Sequence, residues 1–133
     1  MAMTVDPDNR LWWRMPIRRL EAEVLRDSLL AVSGSLDPSM GGSLLHVKNR
    51  AYFFDHTSKD LTTYDSNRRS IYLPVVRNNV FDLFQLLDFP APAVTTGDRA
   101  TTVVASQALL MLNSGFCEQQ AASLAGQILD LSS

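Results

Sequence analysis

The chain has 133 residues, 46% hydrophobic and 20% charged, which is the length and balance of one folded domain with a modest core and excludes wholesale disorder. Twelve Lys+Arg against fourteen Asp+Glu leave a formal charge of -2; this argues against a nucleic-acid binder acting through bulk charge, and no apolar run approaches the ~18 residues of a membrane span. A single cysteine, Cys117, excludes an internal disulfide, a CxxC metal knuckle and a CxxCH haem attachment.

Taken in chain order, residues 1–9 are polar, with Asp6 and Asp8 and neither a basic n-region nor an apolar h-region. No signal peptide is visible, and the chain by itself reads as cytoplasmic with a reduced thiol. Trp12 and Trp13 precede the first strong element, and one of them is expected to cap the core edge. That element is a helix from about Pro16 to Val32. Ile17, Leu20, Val24, Leu25, Leu29, Ala31 and Val32 form its apolar face. Arg18, Arg19, Glu23 and Arg26 lie opposite, as surface pairs Arg19–Glu23 and Glu23–Arg26. Gly34 is its expected stop.

Residues 33–69 read as a loop-rich insertion, punctuated by Asp37-Pro38, Gly41-Gly42 and Asp65-Ser66-Asn67, with 43–47 and 51–54 as candidate short strands. Ser70 to Val76 is extended and apolar on both faces, but Pro74 makes it an edge strand or a buried irregular segment. Asn79 is expected to cap a second helix over about 80–87, ended by Pro90 and Pro92. Thr101 or Thr102 is expected to cap a third over about 103–113. A fourth follows over about 116–131, the last two forming an antiparallel hairpin. The expected fold is therefore mainly α: one domain over 1–133, about four helices, a C-terminal helical hairpin, a loop-rich middle and a small irregular β element.

The basic residues are unusual in kind. Ten of the twelve are Arg, and beyond Arg99 no basic residue occurs. Arg suits fixed, planar, bidentate pairing. Arg68, Arg69, Arg77 and Arg99 all fall on loops or element ends, where binding residues collect. Two readings stay open. They form a cradle for carboxylate, sulfate or phosphate groups, or they pair with Asp60, Asp65, Asp88 and Asp98 to hold long loops. His46 and His56, with Asp55 adjacent, match no compact metal spacing; His56 is retained as a companion of the arginine set. Cys117 lacks a local base and reads as a small core residue. The aromatics Tyr52, Phe53, Phe54, Tyr64 and Tyr72 read first as core and second as a sugar platform. P-loop, GxGxxG and GxSxG motifs are absent from the sequence, and neither a catalytic residue, a metal site nor a cofactor is expected.

Several strings resemble one family. They are Asn9-Arg10-Leu11-Trp12-Trp13-Arg14-Met15 with Arg18-Arg19-Leu20-Glu21-Ala22-Glu23 and Arg26-Asp27; Arg68-Arg69-Ser70-Ile71-Tyr72-Leu73-Pro74-Val75-Val76-Arg77; Asp88-Phe89-Pro90; Thr101-Thr102-Val103; and Gln107-Ala108-Leu109 through Leu112-Asn113. In this order, from about Asp6 nearly to the end, they resemble the planctomycete-specific C-terminal domain of unknown function, family 1553. Ser106 stands where the family pattern leads one to expect Pro.

The resemblance implies the C-terminal module of a large secreted or periplasmic protein, downstream of another domain of unknown function and often of a cytochrome c module. The chain then reads as a fragment or a short standalone copy. The expected function is an accessory or interaction module without catalysis of its own, whose partners are the upstream domains or a second copy of itself. The alternative is part of an anion- or polysaccharide-binding cleft of an extracellular enzyme, with Arg68, Arg69, Arg77, Arg99 and His56 on an anionic polymer.

Overall fold

The structure is a computed structural model and describes residues 2–45, 63–77 and 79–132. It is mainly helical: α1 (Ala2–Val5), α2 (Ala22–Val32), a 3-10 turn (Ser70–Tyr72), α3 (Asp82–Leu86), α4 (Ala105–Asn113) and α5 (Gly115–Leu131). Among the described residues the extended pairing is limited to two isolated bridges, Asp37 with Arg68 and Val76 with Asn79. The expected strand at 43–45 is irregular backbone. The rest of the two expected strands, together with His46, His56 and Asp60, lies outside the described residues.

Helix α2 begins six residues later than its apolar periodicity predicts, at Ala22 after an extended Glu21. The cause is tertiary. Arg19 turns away from the helix axis and binds the segment between α3 and α4, donating to the Thr102 carbonyl and to Asp88. The segment 16–21 is irregular backbone, and Ile17, expected on the buried face, is 92% exposed. The helix ends as its sequence predicts. Gly34 takes a left-handed φ of 69° while its N–H and that of Ser35 close back on Ala31 and Leu30 at 3.1 and 2.9 Å, as a glycine past the last turn allows.

The buried row of α2 is Ala22, Arg26 and Leu30, four residues apart and therefore on one side of the helix. Ala22 joins Leu73, Leu83, Phe84 and Leu87 in the core, with Leu25, Phe81, Phe89, Leu110 and Phe116 packed around it. Phe84 is central: it stacks on Phe89 at 5.1 Å and meets Phe81 edge-on at 5.3 Å. The segment expected to be extended or buried and irregular is the second of these. Its Leu73 and Val76 are buried while Ile71 and Val75 face solvent.

Helix α3 starts at Asp82, with Phe81 rather than Asn79 at its N-cap; the Asn79 carbonyl instead accepts the Tyr64 hydroxyl. Helix α4 starts at Ala105, because Thr102, an expected cap, binds Asp88 through both its N–H and its hydroxyl. Gln107 takes over at that end, its Oε1 accepting the Val104 N–H at 3.4 Å. One residue, Ser114, joins α4 to α5, which pack on each other; α4 also packs on α3, and α5 on α2. Cys117 is buried against Met111, sulfur to sulfur at 3.9 Å.

The N-terminal segment closes on itself. Asp6 is buried and accepts the Arg10 and Leu11 N–H groups at 2.9 and 2.7 Å. The Trp13 indole N–H donates to the Asp6 carbonyl at 2.7 Å. Asn9, at φ 57°, ties its side chain to the Arg14 N–H and carbonyl. Trp12 also has φ 57° and is 81% exposed, so it does not cap the core edge, while Trp13 is 38% exposed. Helix α1 contacts none of the other helices.

Candidate functional site

Two polar centres organise the molecule, one built on Arg26 of α2 and the other on Arg19 in the segment before it; the sequence's periodicity places both on the surface of the expected helix. Arg26 is 1% exposed. Its guanidinium donates to the main-chain carbonyls of Arg68 (2.8 Å) and Ser66, and to the Ser70 hydroxyl at 3.3 Å. Asp27 completes the group by accepting the Ser70 N–H and hydroxyl at 2.8 and 2.6 Å. Burial lowers the Arg26 pKa, and the Asp27 charge opposes that shift. The Arg26 Nε is buried without a hydrogen-bond partner among the described residues, and the guanidinium lies 5.8 Å from the centre of the Phe116 ring. Arg26 thus pins the loop 66–70 to α2.

Asp88 is the second centre. It sits at φ 61° and accepts the Thr102 N–H at 2.8 Å, the Thr102 hydroxyl at 2.8 Å and the Arg19 guanidinium. The two Thr102 bonds, then the Arg19 bond, hold its pKa down at about 2. Gln107 bridges Arg19 and Thr102 at 3.0 and 3.2 Å. The surface pairs read along α2 are therefore replaced. Arg19 pairs with Asp88, and Glu23 pairs with Arg99 at 2.8 and 2.9 Å. Burial raises the Glu23 pKa, but the Arg99 hydrogen bond and charge outweigh it and hold the carboxylate below its usual value.

The arginines singled out from the sequence divide by partner. Arg68 donates to the carbonyls of Ser39 (3.0 Å) and Gly41, which fastens the turn at 37–41. Its guanidinium stacks 4.4 Å from the Tyr72 ring, and that of Arg69 lies 5.7 Å from the same ring. Arg99 holds Glu21 and Glu23 and lies 5.8 Å from the Phe89 ring. Arg77, in the turn between Val76 and Asn79, makes no hydrogen bond or ion pair among the described residues. Arg68 and Arg69 are brought together at Tyr72; Arg99 stands at the other polar centre. Asp88, named as a partner for this set, is engaged by Arg19 instead.

Cavities among the described residues lie beside both polar centres. One, of about 480 Å³, lies between 17–22 and 87–101 beside the Asp88 centre and includes Arg99 in its wall. The other, of about 700 Å³, is lined by 63–67, 79–82, Phe116, Gln119 and Arg26. Among the described residues no group of three or more His, Cys, Asp or Glu is placed to hold a metal ion, and no helix is long and apolar enough to cross a membrane.

These features define a small helical module whose arginines and acids join loops to the first long helix. The chain matches the family described as PSD1, protein of unknown function (DUF1553), over residues 1–132, and it belongs to that family. No curated protein and no solved structure matches it.

Proposed function

We propose that this chain is an accessory interaction module, without catalysis of its own, of a large secreted or periplasmic planctomycete protein, and that it packs against the domains that precede it in that architecture, a cytochrome c module among them. The observation that carries the reading is the apolar surface of α4 and its lead-in. Residues 100–117 carry no charge, and within them Val103 is 90%, Leu109 56% and Leu112 79% exposed. Leu109 and Leu112 stand three residues apart, hence on one face of the helix. An uncharged, exposed apolar helix face marks an interaction surface in a folded protein. Arg19 and Arg26 support the same reading, since their guanidinium groups are spent on joining the chain's own segments.

The test compares the isolated chain with the triple variant Val103→Ser, Leu109→Ser, Leu112→Ser, by sedimentation and by binding of an apolar fluorescent dye. The isolated chain is expected to bind dye or self-associate, and the triple variant to lose this at unchanged helicity. In the parent protein, a photo-crosslinker at position 112 is expected to join the preceding domain. A monomeric chain that binds no dye, together with an unreacted crosslinker, overturns the reading.

A further inference from the structure

The cavity of about 700 Å³ has the size of a small-ligand site, but its wall is unlike an apolar pocket. Asp65, Asn67, Asp82 and Gln119 line it, and none of these side chains makes a hydrogen bond among the described residues. Two are carboxylates, which only accept; two are amides, which both donate and accept. Phe81 and Phe116 supply ring surface between them. A ligand that satisfies this set needs several hydroxyls, each donor and acceptor at once, around an apolar C–H face that lies on a ring.

Charge narrows the class. Asp65 and Asp82 disfavour an anion. Arg26 also lines the cavity, and its buried charge offsets one of the two carboxylates, which removes much of the attraction for a cation. Its Nη groups already donate to Ser66, Arg68 and Ser70, while its buried Nε has no partner among the described residues, a donor that a ligand hydroxyl can meet; the two carboxylates are what set the wall against an anion. We infer that this cavity binds an uncharged, polyhydroxylated ring, such as one hexose unit of a neutral glycan. The site is separate from the α4 face and stands or falls independently of the docking reading.

The experiment titrates the full chain with methyl glucoside, methyl galactoside, methyl mannoside, glucosamine and glucuronate, and follows the Phe116 ring and the Asn67 and Gln119 side-chain amides by NMR. At least one neutral glycoside is expected to shift all three saturably, with glucuronate weaker by about tenfold or more. Asn67→Ala with Gln119→Ala is expected to weaken that binding by about tenfold or more at an unchanged circular dichroism spectrum. Three results overturn the inference: no shift at these groups with any neutral glycoside, glucosamine bound more than about tenfold tighter than every neutral ring, or undiminished binding by the double variant.

Discussion

The Arg26 guanidinium donates to the main-chain carbonyl of Arg68 at 2.8 Å, across 42 residues of sequence. A buried cation is held at little cost only where its donors are met, and here two carbonyls and a hydroxyl on 66–70 meet the Nη groups, leaving the Nε alone without a partner among the described residues. Removing the guanidinium strands those acceptors. Arg26→Ala is expected to destabilise the fold by about 3 kcal/mol, read from urea unfolding. Arg26→Lys is expected to recover less than half of that, because an ammonium cannot fork onto two carbonyls. Equal stability of the Lys variant and the native chain would contradict the role given to the planar group.

Asp88 gives the fold an acid limit. Its folded pKa of about 2 lies below the usual 3.8, so the charged form is favoured by folding. The stabilisation is complete above the unfolded value and is lost as pH falls from 3.8 through about 2. Asp88→Asn is expected to lower the thermal midpoint at neutral pH and to flatten its fall across that window. A variant whose acid profile superimposes on the native one would show that the Thr102 and Arg19 bonds contribute nothing.

Gly34 has a left-handed φ of 69°, and a methyl group added there would stand 2.7 Å from the Gln127 Nε2. Gly34→Ala is expected to cost about 1–2 kcal/mol for the backbone alone, and more with the contact. Adding Gln127→Ala removes the contact but leaves the backbone cost and the lost bond to the Ser33 carbonyl. Comparing Gly34→Ala in the two backgrounds by chemical denaturation separates the terms; a larger loss in the Gln127→Ala background would refute the clash.

Arg99 provides the contrast with Arg26. Its side chain is 37% exposed beside Glu23 at 24%, so screening limits the pair. Arg99→Ala is expected to cost no more than about 1 kcal/mol and to cost less in high salt. A salt-independent loss of several-fold greater size would place Arg99 in the core logic of the fold.

Helix content and the glycine stop of α2 were legible because they depend on neighbours in sequence. The start of α2 was not, since Arg19 is drawn off by Thr102 and Asp88, 83 and 69 residues away. Nor was the pairing of Glu23, whose local arginines both turn to distant partners while Arg99 arrives from 76 residues on. The burial of Arg26 was not legible either. It stands four residues from both Ala22 and Leu30, the row that the structure buries, but the stronger apolar stripe of Val24, Leu25 and Leu29 draws the expected face to the other side and leaves Arg26 reading as a surface pair. The arginine-rich composition pointed to fixed pairing, but Arg19 and Arg26 carry the two polar centres, and both lie outside the set drawn from loops.

The hydrogen bonds that tie 6–14 together span at most seven residues, whereas Arg26 waits for acceptors forty residues away or more. Short loops close in about 10–100 ns, and long-range contacts must first overcome loop entropy. The N-terminal segment is therefore closed by contacts that need no long loop, whereas the Arg26 centre cannot assemble until 66–70 has been brought to α2.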